Sequence, residues 1–480
     1  MSSNTDVLTG ASPLTRGRMV ALVAVLILGV LSYQLNSSML NPALPDMAER
    51  LGVSVDAVSQ VISLFFLAGA VGGVVLARWS DFIGRRRMFI MVLSVLAVGT
   101  LVCIFATSLP MLLVGRVLQG ATAAAFPLAY IILNENLSRQ AFGTAMGVVT
   151  AVNGGVGGVD AYVGGLLSDT WGYRSIFVAI LAFGVIGMVA IATVVPRDGA
   201  PKSAGTMDWW GAAAFSAGLI GLTYYVSEGG AQGWLAPSSL VYLALTVAAF
   251  LVFWVIEKRV SSPLVAVEHL KSRRVWPVMA TTVLVLSGVF AVINFTLVIL
   301  TQNSEVGLGM SASRSALLVL LPPALIGVAA APVAGWLAGR YGWLRILRIG
   351  LVICIVGIAA VTILPPSMPV VLFAVVLFGV AYYGMALTTV NGLGVLQSPK
   401  DEPGILPGLN GAMFGIGASL GISFVAPYVG RETSEGFVTA LAISLGITIL
   451  ALVASLLVKP AEGSVGTRRT QEAPPVHPVP

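Results

Sequence analysis

Apolar runs of about 20 residues recur from one end of this chain to the other, each long enough to cross a hydrocarbon layer about 30 Å thick. Inside such a layer every backbone N–H and C=O must find its partner within the protein, which leaves helices or closed barrels. A barrel would show short segments of alternating polarity, whereas the runs here are continuous. Only 10% of the residues are charged, against about 25% in an ordinary soluble domain, and the mean hydropathy is +0.95. The chain reads as an all-α polytopic membrane protein.

Hydropathy places fourteen spans, at 19–41, 55–77, 88–106, 109–133, 143–168, 173–194, 208–227, 238–257, 275–300, 313–337, 345–364, 369–395, 405–428 and 436–458. An even number puts both termini on one side. The tails and loops of that side carry 21 Lys and Arg residues; the opposite loops carry only Arg50, Arg174, Arg314 and Arg431. The positive-inside rule therefore makes both termini cytoplasmic and predicts an integral protein of the plasma (inner) membrane. By the same account the net charge of +6 is a topology signal and implies no nucleic-acid partner.

Composition also narrows the chemistry. Cys103 and Cys354 lie inside apolar runs and read as small buried hydrophobes. His269 and His477 are the only histidines, so metal sites are poorly supplied and no metal or cofactor is expected. No Gly-rich loop ends in Gly-Lys-Ser/Thr, which argues against an ATP-driven pump. The start shows no cleavable signal pattern, so the first run is read as a retained span.

An internal echo organises the rest. The loop after span two runs Asp81-Phe82-Ile83-Gly84-Arg85-Arg86-Arg87, and the loop after span ten runs Gly335-Trp336-Leu337-Ala338-Gly339-Arg340-Tyr341-Gly342. Both are short turns with Gly and Arg at matching offsets. If spans 1–6 and 9–14 are two copies of one six-helix unit, the loops fill the same slot and spans 7 and 8 are an inserted pair. The division is then a tail at 1–18, a six-helix bundle at 19–196, and a linker with the extra helices and a basic loop at 197–274. A second bundle at 275–459 and a Pro-rich, disordered tail at 460–480 follow. Two parallel repeats around a midplane site are a transporter design.

These residues resemble the major facilitator superfamily, and within it the 14-helix drug:proton antiporter branch. The Asp81, Gly84, Arg85 and Arg86 loop is similar to that family's signature loop, which implies a conformational gate with Gly335, Arg340 and Gly342 as its echo. Val114-Gly115-Arg116-Val117-Leu118-Gln119-Gly120 resembles the family's Gly-Arg…Gln-Gly motif, and Trp171-Gly172-Tyr173-Arg174 its entry to helix six. Asp208-Trp209-Trp210-Gly211 resembles the start of the extra helix pair. The resemblance implies an energy source in the proton gradient, a small organic substrate, contact with membrane lipids, and a monomer. Two departures bear on mechanism. Where the family's span-one motif carries an acid, this chain has Asn36; where its span-five signature reads Gly-Pro, this chain reads Asp160-Ala161.

Only Arg116 and Asp160 are ionisable well inside predicted spans, and such groups usually face a partner or a cavity. At about 1.5 Å per residue, Asn36, Arg116 and Asp160 fall in one layer roughly 8–12 Å below the outer boundary. Asp160 could exchange a proton as the outer half opens, with Arg116 and Asn36 biasing its charge. The plainer alternatives are a static Arg116–Asp160 pair, or an Arg116 that satisfies carbonyls and groups such as Gln34. Gly154, Gly157, Gly158, Gly164 and Gly165 make a small-residue face for close helix packing, and Asn153, Gly157, Asp160 and Gly164 share a stripe. Tyr33, Gln34, Asn41, Gln119 and Tyr130 in the first repeat are candidate substrate contacts. Asn294, Tyr382, Tyr383, Thr388 and Asn391 are their candidates in the second. Aromatic and amide groups in an apolar cavity suit amphipathic or cationic organic molecules.

The leading expectation is a secondary active transporter that exports amphipathic organic compounds, multidrug-fashion, by proton antiport. One alternative keeps the fold and makes it a facilitator or a metabolite or lipid transporter. Another is a non-transporting membrane sensor or scaffold.

Overall fold

The computed structural model describes residues 15–137, 139–198, 207–260, 264, 275–364, 366–396 and 405–458. At 139, 140, 142–144, 146, 147, 150–155, 395, 396 and 405–408 it describes the backbone alone. The expected tails and most of the basic loop, together with the side-chain setting of Asn153 and Gly154, lie outside the described residues.

All described elements are helical. In chain order they are α1 (Arg16–Leu51), α2 (Val55–Ile83), α3 (Arg85–Ile104), α4 (Leu109–Asn136), α5 (Arg139–Trp171), α6 (Arg174–Val194) and α7 (Trp209–Gln232). They continue as α8 (Pro237–Glu257), α9 (Trp276–Gln302), α10 (Ala312–Tyr341), α11 (Trp343–Ile363), α12 (Met368–Gly394), α13 (Ile405–Val429) and α14 (Ser434–Leu457). Twelve of them are long and apolar enough to cross a membrane by length and composition, among the described residues. The other two, α5 and α7, run 33 and 24 residues.

Local chemistry sets the ends. Ser54 accepts from Ala57 N at 3.2 Å to cap α2, and Ser311 accepts from Arg314 N at 3.3 Å to cap α10. Gly84 and Gly342 close the two echoed loops at φ of 102° and 103°, a conformation that side chains resist. The repeat read from sequence thus has matching turns. In α1 the span expected at 19–41 breaks earlier. A regular helix ends at Ser38, Pro42 sits in a tight turn at Asn41–Ala43, and an amphipathic segment, Leu44–Leu51, follows.

The halves meet along two seams that the repeat relates to one another. On one, α5 lies on α10: a Cβ added at Gly158 would stand 2.7 Å from Ala324 Cβ, and one at Gly165 2.7 Å from Ser313 Cα. On the other, α13 lies on α2, with Gly415 against the Phe66 carbonyl and Gly430 against Asp56. The inserted helices α7 and α8 pair with each other through Gly218, Gly221 and stacked Tyr224 and Tyr242. They lie over the α2–α13 seam, where Trp79 meets Trp209 and Trp234 meets Phe424.

Candidate functional site

Helix α1 carries the polar groups that organise the site, and its two flanks serve different neighbours. On one flank, Asn36 receives Arg116 of α4, whose Nη1 donates to Asn36 Oδ1 at 3.2 Å and whose Nη2 donates to the Asn36 carbonyl at 3.2 Å. The guanidinium also donates to the Gln119 Oε1 at 2.7 Å and the Val61 carbonyl at 2.8 Å, and lies 4.2 Å from the centre of the Phe65 ring. Gln119 passes the network on to Thr100 at 2.9 Å. Arg116 is 1% exposed, and no carboxylate reaches it among the described ion pairs. A buried cation costs much less when neutral acceptors and a ring face surround it.

On the other flank, Ser38 meets Asp160 of α5 at 2.6 Å. Asn36 and Ser38 are two positions apart, about 200° round the helix and about 3 Å along it. The three residues placed in one layer by sequence are therefore close in depth, yet Arg116 and Asp160 are not an ion pair, because α1 stands between them. The stripe Gly157, Asp160 and Gly164 faces α1: Gly157 lies against the Gln34 amide and Gly164 against the Met39 backbone. Gly158 and Gly165 face the other half, so the glycines serve two neighbours with two faces.

The chemistry at Asp160 follows from its hydrogen bonds. Ser38 Oγ lies 2.6 Å from Asp160 Oδ2, 2.9 Å from the Gln34 carbonyl, and accepts from Gln34 Nε2 at 3.1 Å. Its single proton can serve either oxygen. Facing a carboxylate, Ser38 donates to Asp160; facing a carboxylic acid, it accepts from Asp160 and donates to the Gln34 carbonyl. The Ser38 hydroxyl is satisfied in both charge states. Asp160 is 3% exposed and its Oδ1 has no hydrogen-bond partner.

The remaining candidates divide between contact and packing. Asn41 donates across the halves to Asn294 Oδ1 at 3.2 Å, and Tyr383, within hydrogen-bonding reach of Asn294, stands close enough to Asp160 to interact with it electrostatically. Tyr382 packs edge-on against Tyr383 at 5.0 Å. Tyr33 stacks on Phe65 at 5.7 Å. Gln119 is fully buried inside the first half and is committed to Arg116 and Thr100. Tyr130 and Thr388 are half-buried, and a Cβ added at Gly335 would stand 3.9 Å from the Thr388 methyl. Asn391 is exposed and accepts from Asn410 at 2.9 Å, which in turn accepts from Thr282 at 2.8 Å.

The signature loop is tied within its own half. Asp81 pairs with Arg78 at 2.8 Å and with Arg85, Arg85 also reaches Ser80 and Glu135, and Arg86 donates to the Ala192 carbonyl. Asp198 accepts from the backbone of Arg86 and Arg87 at 2.8 and 3.0 Å. Its echo is held by rings, with Arg340 over Trp336 and Tyr341. None of these described bonds crosses to the other half. Ser38, Phe65, Asp198 and Asn410 were not singled out by sequence. The i, i+4 spacing of Gln34 and Ser38 on a polar stretch of α1 is the one available signal.

The comparisons agree on one family. The model described as the Major Facilitator Superfamily matches residues 26–422. A uridine/deoxyuridine transporter of Lactococcus lactis subsp. cremoris is 36% identical, covering 92% of this chain and 95% of that protein. The multidrug resistance protein Stp of Mycobacterium tuberculosis is 26% identical over 82% of this chain and 73% of its own. Among solved structures, a POT family transporter in complex with 5-aminolevulinic acid has a TM-score of 0.66 at 13% identity, covering 92% of this chain and 97% of that one.

Proposed function

For a chain that belongs to the major facilitator superfamily, and is a membrane transporter and not an enzyme, we propose that the solute is a pyrimidine nucleoside of the uridine class. The observation that carries this reading is the kinship with the uridine/deoxyuridine transporter, which runs nearly the full length of both chains. The site supports it chemically. The groups at the meeting of the halves are neutral amides and a phenol, Asn41, Asn294 and Tyr383. Amides can match the alternating donors and acceptors of a uracil edge, and rings can stack on its face.

We further read α5 and α7 as membrane spans, giving fourteen, with both termini cytoplasmic. Asp160 is the proton carrier in this reading, because its Ser38–Gln34 relay accommodates either charge state. The test is uridine transport into proteoliposomes under an imposed pH gradient, wild type against Asp160→Asn. Gradient-driven uridine accumulation is expected in the wild type, with only gradient-independent exchange left in the variant. Transport indifferent to both gradient and substitution removes Asp160 from coupling, and no uridine transport at all removes the nucleoside.

A second reading, proton-driven export of amphipathic drugs, draws on Stp. Ethidium efflux from the same vesicles separates the two.

A further inference from the structure

Four hydrogen bonds join the first half to the second at one end of the molecule, the end opposite the Gly84 and Gly342 turns. One is the Asn41–Asn294 bond already described. Beyond it, Gln302 at the end of α9 donates to the Pro42 carbonyl at 3.0 Å. Asp169, in the last turn of α5, takes both remaining bonds. Its Oδ1 accepts from Ala312 N at 3.2 Å and its Oδ2 from Ser313 N at 2.9 Å.

These links belong to a closed circuit. From Pro42 the chain of α1 leads to Asp46, which accepts from Ser168 at 3.2 Å and from Tyr173 N at 3.0 Å. The next residue, Asp169, reaches α10. Ser315 of α10 bonds Thr301 of α9 at 2.8 Å, and the neighbouring Gln302 returns to Pro42. The ring thus runs α1, α5, α10, α9 and back to α1, and it changes halves at only two places. One change is a neutral amide on a carbonyl. The other is a carboxylate on two free N–H groups at the start of a helix, where charge-assisted bonds and the helix dipole both favour it. Beneath it, Gly165 lets the α10 backbone come close enough for the bonds to form.

We infer that Asp169 is the positioning residue that latches this end of the transport pathway, through a hydrogen-bonded ring that must open between Asp169 and residues 312–313 for solute to pass. The inference rests on the alternating-access part of the proposed function and on no particular solute. Ser311 and Arg314 do not compensate: Ser311 caps its own helix, and Arg314 makes no described ion pair.

The test needs no substrate. Leu40, 1% exposed and two residues before Pro42 of the ring, is replaced by Cys in the full chain, with the buried Cys103 and Cys354 left in place as the unreactive background. Labelling by a membrane-impermeant maleimide is followed in proteoliposomes carrying Asp169, Asp169→Asn or Asp169→Ala. Loss of two charge-assisted bonds is expected to raise the labelling rate about tenfold or more in the Ala variant, tenfold being about 1.4 kcal/mol. The Asn variant, which keeps one acceptor oxygen, should fall between. Equal rates in all three, with only a lowered melting temperature, would mean that Asp169 is a structural cap and would overturn the inference. Should Leu40→Cys fail to fold, the pair Asp169→Cys with Ser313→Cys serves. Oxidation is expected to stop exchange of whichever solute the wild type carries, and reduction to restore it; unaltered exchange in the cross-linked protein sinks the latch. Absence of uridine transport would leave the labelling result readable.

Discussion

In the first half the buried polar groups around Arg116 are tied off, although Asn41 Oδ1 and Asp160 Oδ1 have no hydrogen-bond partner. Arg116 has acceptors at Asn36, Gln119 and Val61, and Gln119 hands the network to Thr100. In the second half the hydroxyls of Thr296, Tyr382, Ser419 and Ser444 have no partner. The backbones differ in the same sense. Helices α9, α10 and α12 contain π-helical turns at Leu286–Phe290, Val292–Thr296, Ala316–Leu320 and Gly379–Ala386, and Asn294, Tyr382 and Tyr383 sit on them. Among the described residues the first-half spans carry no such turns. Wide turns of this kind cluster at functional positions because they re-aim side chains without ending the helix. The difference teaches a division of labour: a fixed polar platform faces a partner half whose polar groups have room to re-pair when solute enters.

The comparison breaks first at Arg116. Arg116→Met removes the hub and leaves the Asn36, Gln119 and Val61 oxygens without their donor, at about 1–3 kcal/mol for each orphaned buried group. The cost of burying the charge disappears too, so the net loss is smaller than that sum. Transport is expected to vanish and thermal stability in detergent to fall clearly. Arg116→Lys should not rescue, since one ammonium cannot reach three diverging acceptors. Full transport in either variant would mean that the first half is no platform.

The next effect is smaller and sharper. Gln119→Leu takes one acceptor from Arg116 and one donor from Thr100 while filling similar space. About 2 kcal/mol or more is expected, since one of the two bonds is to the Arg116 cation, read as roughly thirtyfold slower transport. KM should not move, because Gln119 is fully buried within the first half. A changed KM with unchanged maximal rate would place Gln119 at the solute, as its residue type alone suggested.

Much of this was legible in the sequence, for reasons that differ by element. Helix positions follow from apolar length, and the repeat follows from the two loops closed by Gly84 and Gly342. Arg116 and Asp160 stand out because charge inside a span is rare. What does not follow is who faces whom. Asn36 and Ser38 are nearly adjacent in sequence, and only the rotation of α1 assigns one to Arg116 and the other to Asp160. The π-helical turns leave no mark either, since Gly379–Ala386 reads as ordinary helix. Asp169 falls one residue beyond the span read at 143–168, and its partners are backbone N–H groups, which every residue but proline supplies and which therefore leave no mark in the sequence.

The smallest effect probes the second half directly. Tyr382 is 1% exposed and its hydroxyl has no partner. Tyr382→Phe therefore breaks no bond within the protein, and removing an unsatisfied buried hydroxyl should leave stability unchanged or raise it by up to about 1 kcal/mol. Two measurements on the variant read different things. If the second half holds its free hydroxyls for solute, thermal stability stays level while KM for the transported solute rises. A fall in stability would mean that the hydroxyl is tied off after all, and the contrast between the halves would lose its clearest member. If stability and KM both stay put, Tyr382 only packs against Tyr383, and Asn294 and Tyr383 are left as the adaptable groups that meet Asn41 across the interface.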